Sequence, residues 1–304
     1  MQRRRLLQFC ATLLAILVAG CTRIAFGIVN FNVDSAAIAS VQYDNAHALS
    51  LDIHRTRNSN RKTPVVVFFY GGSWQTGTRQ DYRFVGQSLA KQGVLVIVPD
   101  YRKSPQVAFP AFVEDAARAV AWTKLHAAEY GGDPSRIFLV GHSAGAHIAA
   151  MLGTDGRFLR AVGMQPRDLA GIVGLAGPYD FLPITDPLQQ RIFAPESAWP
   201  LSQPVNFVDG DEPPFLLLQG TADKVVWPRN AERLAAKLRT FNEPVEVRML
   251  DGASHTGLLL GLLRDGSPVR RDVFCFIDAP DVQRVSNCAP SITTDATNPV
   301  RKQM

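Results

Sequence analysis

Length, composition and charge place this chain among globular proteins with one large domain. Its 304 residues are 46% hydrophobic and 19% charged, and strongly apolar runs alternate with helical patterns. The formal charge of +5 includes three arginines among the first five residues; without them 29 basic residues face 27 acidic ones, which gives no reason to expect nucleic acid as a partner.

The first twenty residues are typical of a secretory leader. Three arginines precede an uncharged apolar run, Leu6 to Val18, that is short for a transmembrane helix. The end of this run, Val18-Ala19-Gly20-Cys21, resembles a bacterial lipobox, in which the cysteine becomes the lipidated first residue of the mature protein. An uncleaved anchor is the alternative. We expect a signal peptide over residues 1–20, a tether over 21–37, and a domain held at the membrane of the bacterial cell envelope.

The domain, expected over residues 38–280, opens with two alternating stretches. Residues 39–43 and 49–53 alternate apolar with polar positions, which predicts an antiparallel edge hairpin. The continuous apolar run Val65 to Phe69 predicts a strand buried on both faces. It ends in Tyr70-Gly71-Gly72-Ser73-Trp74, a turn whose glycines let backbone N–H groups point into a site.

The next part of the chain repeats the order of helix and strand. A helix is predicted over residues 81–92, a buried strand over 94–98 and a long helix over 109–130. The run Gly131-Gly132-Asp133-Pro134 should end that helix, and a further strand should begin at Ile137.

The stretch Gly141-His142-Ser143-Ala144-Gly145 follows this strand and leads directly into an apolar helix. This is the context of a nucleophile elbow, in which a strained turn exposes the serine oxygen above the sheet. Gly141 and Gly145 would leave room where strand and helix cross. Ser143 is therefore the predicted nucleophile.

The remaining elements follow at regular intervals. Strands are predicted at 169–175, 215–219 and 245–249, an amphipathic helix at 230–241 and a last helix at 269–277. The interval between Phe181 and Pro214 is irregular and rich in proline and aromatic residues, which suggests a cap over the site or a loop packed on the core. Residues 281–304 are expected to be peripheral or disordered.

An acid and a base should come from loops that follow late strands. His255 lies in a free loop after the strand at 245–249, whereas the other histidines lie in the hairpin, in helices or on the elbow itself. A histidine there can accept and return the serine proton. Asp223 follows the strand at 215–219 and is the favoured acid, with Asp180 as the rival because it also follows a strand.

These motifs resemble those of the α/β-hydrolases, and within them the esterases related to hormone-sensitive lipase and the bacterial carboxylesterases, whose loop reads His-Gly-Gly-x-Trp. Tyr70 stands where that family has histidine. The resemblance implies an α/β-hydrolase fold: a mostly parallel central sheet with helices on both faces and an antiparallel N-terminal edge. It also implies an oxyanion hole formed by the backbone amides of Gly72, Ser73 and Ala144.

The predicted function is a serine esterase that cleaves carboxylic esters of short or medium acyl chains, with a small-molecule ester as substrate and with no cofactor or metal. An arylformamidase-like amide hydrolase is one alternative, because the Gly-Gly-x-Trp loop resembles that family too. A non-catalytic binding lipoprotein is the other. Cys275 and Cys288 either form a disulfide or leave Cys275 buried and free. The sequence predicts no particular oligomeric state.

Overall fold

The computed structural model describes residues 37–55 and 62–278. The predicted leader, the lipidation site Cys21 and almost all of the tether lie outside this range, as does the C-terminal tail with Cys288. The predictions for those segments therefore stay predictions. Among the helices of the described residues, none combines the length and the apolar composition of a membrane-spanning segment.

A single sheet of eight strands forms the centre of the described fold, in the order β1-β2-β4-β3-β5-β6-β7-β8. The strands are β1 (Ala39–Asp44), β2 (Leu49–His54), β3 (Thr63–Phe69), β4 (Leu95–Pro99), β5 (Gly132–His142), β6 (Gly171–Leu175), β7 (Phe215–Gly220) and β8 (Val245–Leu250). The β1–β2 and β2–β4 pairs are antiparallel, and the pairs from β4 through β8 are parallel. The expected mostly parallel sheet with an antiparallel N-terminal edge is confirmed.

Helices connect the strands and cover the sheet. They are α1 (Arg83–Ala90), α2 (Ala111–His126), α3 (Ala144–Thr154), α4 (Gly156–Arg160), α5 (Pro187–Ile192), α6 (Arg229–Thr240), α7 (His255–Gly261) and α8 (Pro268–Asp278). Short 3-10 helices occur at Ala127–Tyr130, Pro166–Asp168, Glu196–Ser202 and Pro204–Phe207.

Two neighbouring residues of β6 show that helices lie on both faces. A Cβ at Gly171 would meet the ring of Phe276 in α8, whereas the Ile172 side chain meets Gly153 of α3. Successive residues of a strand point to opposite faces. Helices α3 and α8 therefore cover opposite faces of the sheet.

Two predicted boundaries differ from the structure by more than two residues, and the segment predicted to be irregular contains short helices. The long helix ends as an α-helix at His126, four residues before Tyr130, and continues as a 3-10 helix up to the left-handed Gly131 (φ 80°). Strand β5 begins at Gly132 rather than Ile137, because Gly132 already pairs with Thr63 before an irregularity in the ladder. The predicted irregular interval contains α5 and two 3-10 helices, and the carboxylate of Asp186 caps α5 by accepting from two of its N–H groups.

Candidate active site

Ser143 lies at the sharp turn between β5 and α3. Its backbone is left-handed, with φ 56° and ψ −121°, which is strained for a residue with a side chain. A Cβ at Gly145 would lie 2.0 Å from the carbonyl oxygen of Phe69, and one at Gly141 would lie 2.3 Å from the oxygen of Gly145. Any larger residue at these two positions would push the helix off the sheet, so the glycines allow the turn that presents Ser143.

Asp223 and His255 form a hydrogen-bonded pair. The Nδ1 atom of His255 lies 2.8 Å from Oδ2 of Asp223, whose side chain is fully buried, and the histidine side chain is 13% exposed. An ionised carboxylate only accepts, so Nδ1 carries the proton and Nε2 is left free to accept one. Burial alone would raise the pKa of Asp223, but hydrogen bonds from the Val226 amide, His255 and the Val225 amide outweigh it and hold the pKa below its usual value.

His255 opens α7 and does not lie in the free loop that the sequence suggested. Ser254 caps this helix by accepting the Gly257 N–H at 3.2 Å, and such caps favour a helix start. His142, the variable residue of the elbow, donates from Nε2 to the backbone oxygen of His255 at 3.0 Å, and the two rings lie 4.8 Å apart. His255 is thus held beside the residue that precedes Ser143.

The rival acid Asp180 has other partners. Its Oδ2 accepts from Arg233 at 2.8 Å, and its backbone N–H donates to the Asn230 side chain at 2.9 Å. The structure therefore brings Asp223, and not Asp180, to His255. The catalytic roles of these residues stay predictions.

The loop after β3 runs alongside Ser143. A Cβ at Gly71 would lie 3.1 Å from the Ser143 Cβ, and Ser73 lines the same cavity as Ser143. The backbone N–H groups of Gly72, Ser73 and Ala144 have no acceptor among the residues that the structure describes. Unused donors beside a nucleophile are what an oxyanion hole requires.

Tyr70, which stands where the family has histidine, fixes this loop through hydrogen bonds and ring stacking. Its hydroxyl donates to Asp100 Oδ1 at 2.7 Å and accepts from Lys103 at 3.0 Å. Its backbone oxygen accepts from the Tyr101 hydroxyl at 2.8 Å, and the two rings stack 4.7 Å apart. Asp100 in turn accepts from the backbone N–H of Arg79 at 2.8 Å, beyond the loop. Sequence reasoning could not find this network because its members are far apart in the chain.

A cavity of about 270 Å³ opens above Ser143. Its walls come from three segments: the loop after β3 (residues 70–74), named the oxyanion loop for its predicted role; Pro178 and the start of the cap (residues 181–214); and residues 225–230. Trp227 and Val225 are 65% and 67% exposed there. The aromatic residues Phe193, Trp199 and Phe207 of the cap are absent from its lining; Phe193 is buried against Trp74, with ring centroids 4.8 Å apart.

Two further predictions concern metal ions and cysteines. Asp44, His47 and Asp115 come within 4.8 Å of one another, a spacing that a cation could use. Arg118 donates to both carboxylates, so their charges are already compensated and we assign no metal there.

Cys275 is disulfide-bonded. Because Cys288 lies outside the described residues, its pairing with Cys275 stays a prediction.

Similar solved structures place the chain in a known class of fold. The thermophilic esterase of the Planctomycetes species Thermogutta terrifontis superposes with a TM-score of 0.61 at 25% identity, over 72% of this chain and 83% of that chain. A truncated carbohydrate esterase from gut microbiota superposes with a TM-score of 0.64 at 19% identity, over 83% of this chain and 98% of the other. The fold is that of the α/β-hydrolases, as the sequence motifs implied.

Within that class, the BD-FAE family model matches residues 51–238, more than half of the chain, and the protein belongs to this family of α/β-hydrolase esterases. It is 32% identical over 219 residues to LipM of Mycobacterium tuberculosis, a probable carboxylic ester hydrolase, over 66% of this chain and 51% of that protein. A probable isoprenylcysteine alpha-carbonyl methylesterase of Arabidopsis thaliana is 30% identical over 243 residues, 73% of this chain and 51% of its own length. The chain thus spans about half the length of these relatives.

Proposed function

We propose that this protein is a serine esterase that hydrolyses carboxylic esters through an acyl-enzyme formed on Ser143. The observation that carries the proposal is the Asp223–His255 pair, held by His142 beside a strained serine. Membership of an esterase family and the esterase relatives support it.

In the proposed reaction, Nε2 of His255 takes the proton of Ser143 as the serine oxygen attacks the acyl carbonyl. Asp223 keeps the proton on Nδ1 and stabilises the imidazolium that forms. The amides of Gly72, Ser73 and Ala144 bind the developing oxyanion. His255 then protonates the leaving alcohol, and water releases the acyl group by the same steps in reverse.

The size of the cavity supports the proposal that the substrates carry short or medium acyl groups. Its volume of about 270 Å³ is at the small end for ligand sites. Pro183, Ile184 and Phe181 give it an apolar wall, and Gln189 and Thr185 add polar groups.

Replacement of the nucleophile tests the mechanism. Ser143→Ala should lower kcat by on the order of a million-fold, because triad members act as a unit. The measurement is hydrolysis of p-nitrophenyl acetate together with labelling by a fluorophosphonate probe, which should modify Ser143 in the wild type only. Ser135→Ala, at an exposed serine that bonds to Asp133, is the matched control and should keep full activity. A Ser143→Ala protein with a tenth of the wild-type rate would show that the nucleophile is another residue.

Substrate panels separate the alternatives. We expect rates to decline from p-nitrophenyl acetate through butyrate and octanoate to palmitate, and to exceed those on N-formyl aromatic amines. Preference for the formamide would instead indicate an arylformamidase-like enzyme. A folded wild-type protein with no turnover and no probe labelling would be a binding lipoprotein.

We also propose that the enzyme acts at the bacterial cell envelope as a lipoprotein attached through Cys21. The support is the basic start, the short apolar run and the lipobox-like residues before Cys21. Metabolic labelling with a fatty-acid analogue should mark the wild type and not Cys21→Ser. Equal labelling of both proteins would contradict lipidation at this residue.

A further inference from the structure

His147 lies one turn after Ser143 on α3, and its side chain is completely buried between the oxyanion loop and the cap. Its Nδ1 lies 3.3 Å from the indole nitrogen of Trp74, and its Nε2 lies 2.8 Å from the backbone oxygen of Ser202. An indole N–H can only donate and a carbonyl can only accept. One neutral tautomer, with the proton on Nε2, therefore satisfies both partners, and burial lowers the pKa of His147 to about 4.

The Trp74 end of this chain of hydrogen bonds lies in the oxyanion loop. Ser73, whose amide points to the nucleophile's cavity in the proposed mechanism, and Trp74 are both left-handed, with φ values of 53° and 58°. Such a backbone is strained for residues with side chains and persists only when its surroundings hold it. The hydrogen bond to His147 is a directional restraint on the Trp74 ring, which also packs edge-on against His147 at 5.2 Å.

The Ser202 end lies in the cap. The side-chain amide of Gln203 donates to the Ser202 hydroxyl at 2.8 Å, and its oxygen accepts the backbone N–H of Phe181 at 2.8 Å. Phe181 lines the cavity above Ser143. Hydrogen bonds on either side of Ser202 thus connect Phe181 at the cavity wall, through Gln203, Ser202 and His147, to Trp74.

We propose that His147 is a positioning residue that couples the cap to the oxyanion loop, so that the Ser73 amide is held where the transition-state oxyanion forms. The role rests on the proposed function, in which Ser143 is the nucleophile and Ser73 an oxyanion donor. Nothing in it requires His147 to touch the substrate. Its effect should therefore appear in the transition state more than in substrate binding.

Two variants test the coupling from its two sides. Trp74→Phe removes the indole N–H and leaves His147 in place, whereas His147→Leu removes both hydrogen bonds. One oxyanion donor is worth about 100- to 1,000-fold in kcat, so a displaced donor should cost about 10- to 100-fold. We expect that loss in kcat on p-nitrophenyl acetate with KM changed less than about threefold, and an equal loss of affinity for a boronic acid transition-state analogue. His147→Gln, whose amide can both accept and donate, should recover part of the loss.

Thr154→Val is the matched control, since Thr154 is buried on the same helix and its hydroxyl donates to the Ala150 oxygen at 3.0 Å, away from the cavity. It should lower the unfolding temperature and leave kcat unchanged. If Trp74→Phe and His147→Leu leave kcat unchanged, as this control does, the positioning role is wrong. If His147→Leu does not fold, the kcat of Trp74→Phe alone tests the role. A wild type with no fluorophosphonate labelling of Ser143 would overturn the proposed function and this role together, whereas a labelled wild type with unaffected variants would overturn only this role.

Discussion

Asp223 and Asp180 both follow a strand, but their surroundings give them different chemistry. Asp223 is buried and accepts from two backbone amides as well as from His255. These bonds keep it ionised and fix its orientation. Asp180 is partly exposed and forms a surface ion pair with Arg233. Such pairs contribute little to stability. Position after a strand therefore gave two candidates, of which the sequence favoured Asp223, and their spatial partners now separate them.

The corresponding amide substitutions should separate the two aspartates. Asp223→Asn keeps the shape but allows the wrong tautomer of His255, and should lower kcat by about 10,000-fold. Asp180→Asn should change kcat less than threefold. Initial rates on p-nitrophenyl acetate measure both, with circular dichroism to verify folding. An unchanged kcat for Asp223→Asn together with a large loss of kcat for Asp180→Asn would assign the role of the acid to Asp180.

The strands and helices were predictable because their apolar patterns are local. The buried runs of β3, β5 and β7 and the amphipathic α6 could be found from the sequence with errors of a few residues. Gly141 and Gly145 were predictable too, because a strand driven into a helix leaves no room for side chains at the crossing.

Other features depend on contacts between distant segments. The start of α7 at His255 follows from a single serine cap, a weak signal in a polar stretch. The contact of His142 with the His255 backbone and that of His147 with Trp74 and Ser202 bridge positions up to 113 residues apart. In the cap, proline and aromatic content predicted an irregular segment, while an aspartate cap and short-range hydrogen bonds produce helical turns. The pattern of apolar and polar residues along the chain contains no information about these contacts and caps.

At the scale of the whole molecule, buried histidines make stability depend on pH. Burial lowers the pKa of His54 to about 4, that of His142 to about 3 and that of His147 to about 4, from an ordinary value of 6.5. As the pH falls below about 6.5, these histidines therefore bind protons in the unfolded chain but stay neutral in the folded chain. The stability that these neutral histidines contribute is fully present above pH 6.5 and is lost as the pH drops from there towards 4, by up to about 1.4 kcal/mol per unit for each group.

His54 allows this dependence to be tested outside the candidate active site. It lies on β2 against Gly86 of α1, and neither ring nitrogen has a hydrogen-bond partner among the residues the structure describes. Asp52 pulls its pKa up and Arg83 pushes it down, but burial dominates. His54→Leu removes a buried polar group that forms no hydrogen bond, so stability at pH 7.5 should change by less than about 1 kcal/mol.

Between pH 6.5 and 4 the free energy of unfolding should fall less steeply for His54→Leu than for the wild type, by about 1.4 kcal/mol per pH unit. Urea titrations at half-unit intervals of pH measure this slope. Thr154→Val, at a buried hydroxyl that does not titrate in this range, is the control and should keep the slope of the wild type. Parallel curves for His54→Leu and the wild type would mean that His54 is protonated equally in the folded and unfolded states, and that the acid sensitivity of the fold arises elsewhere.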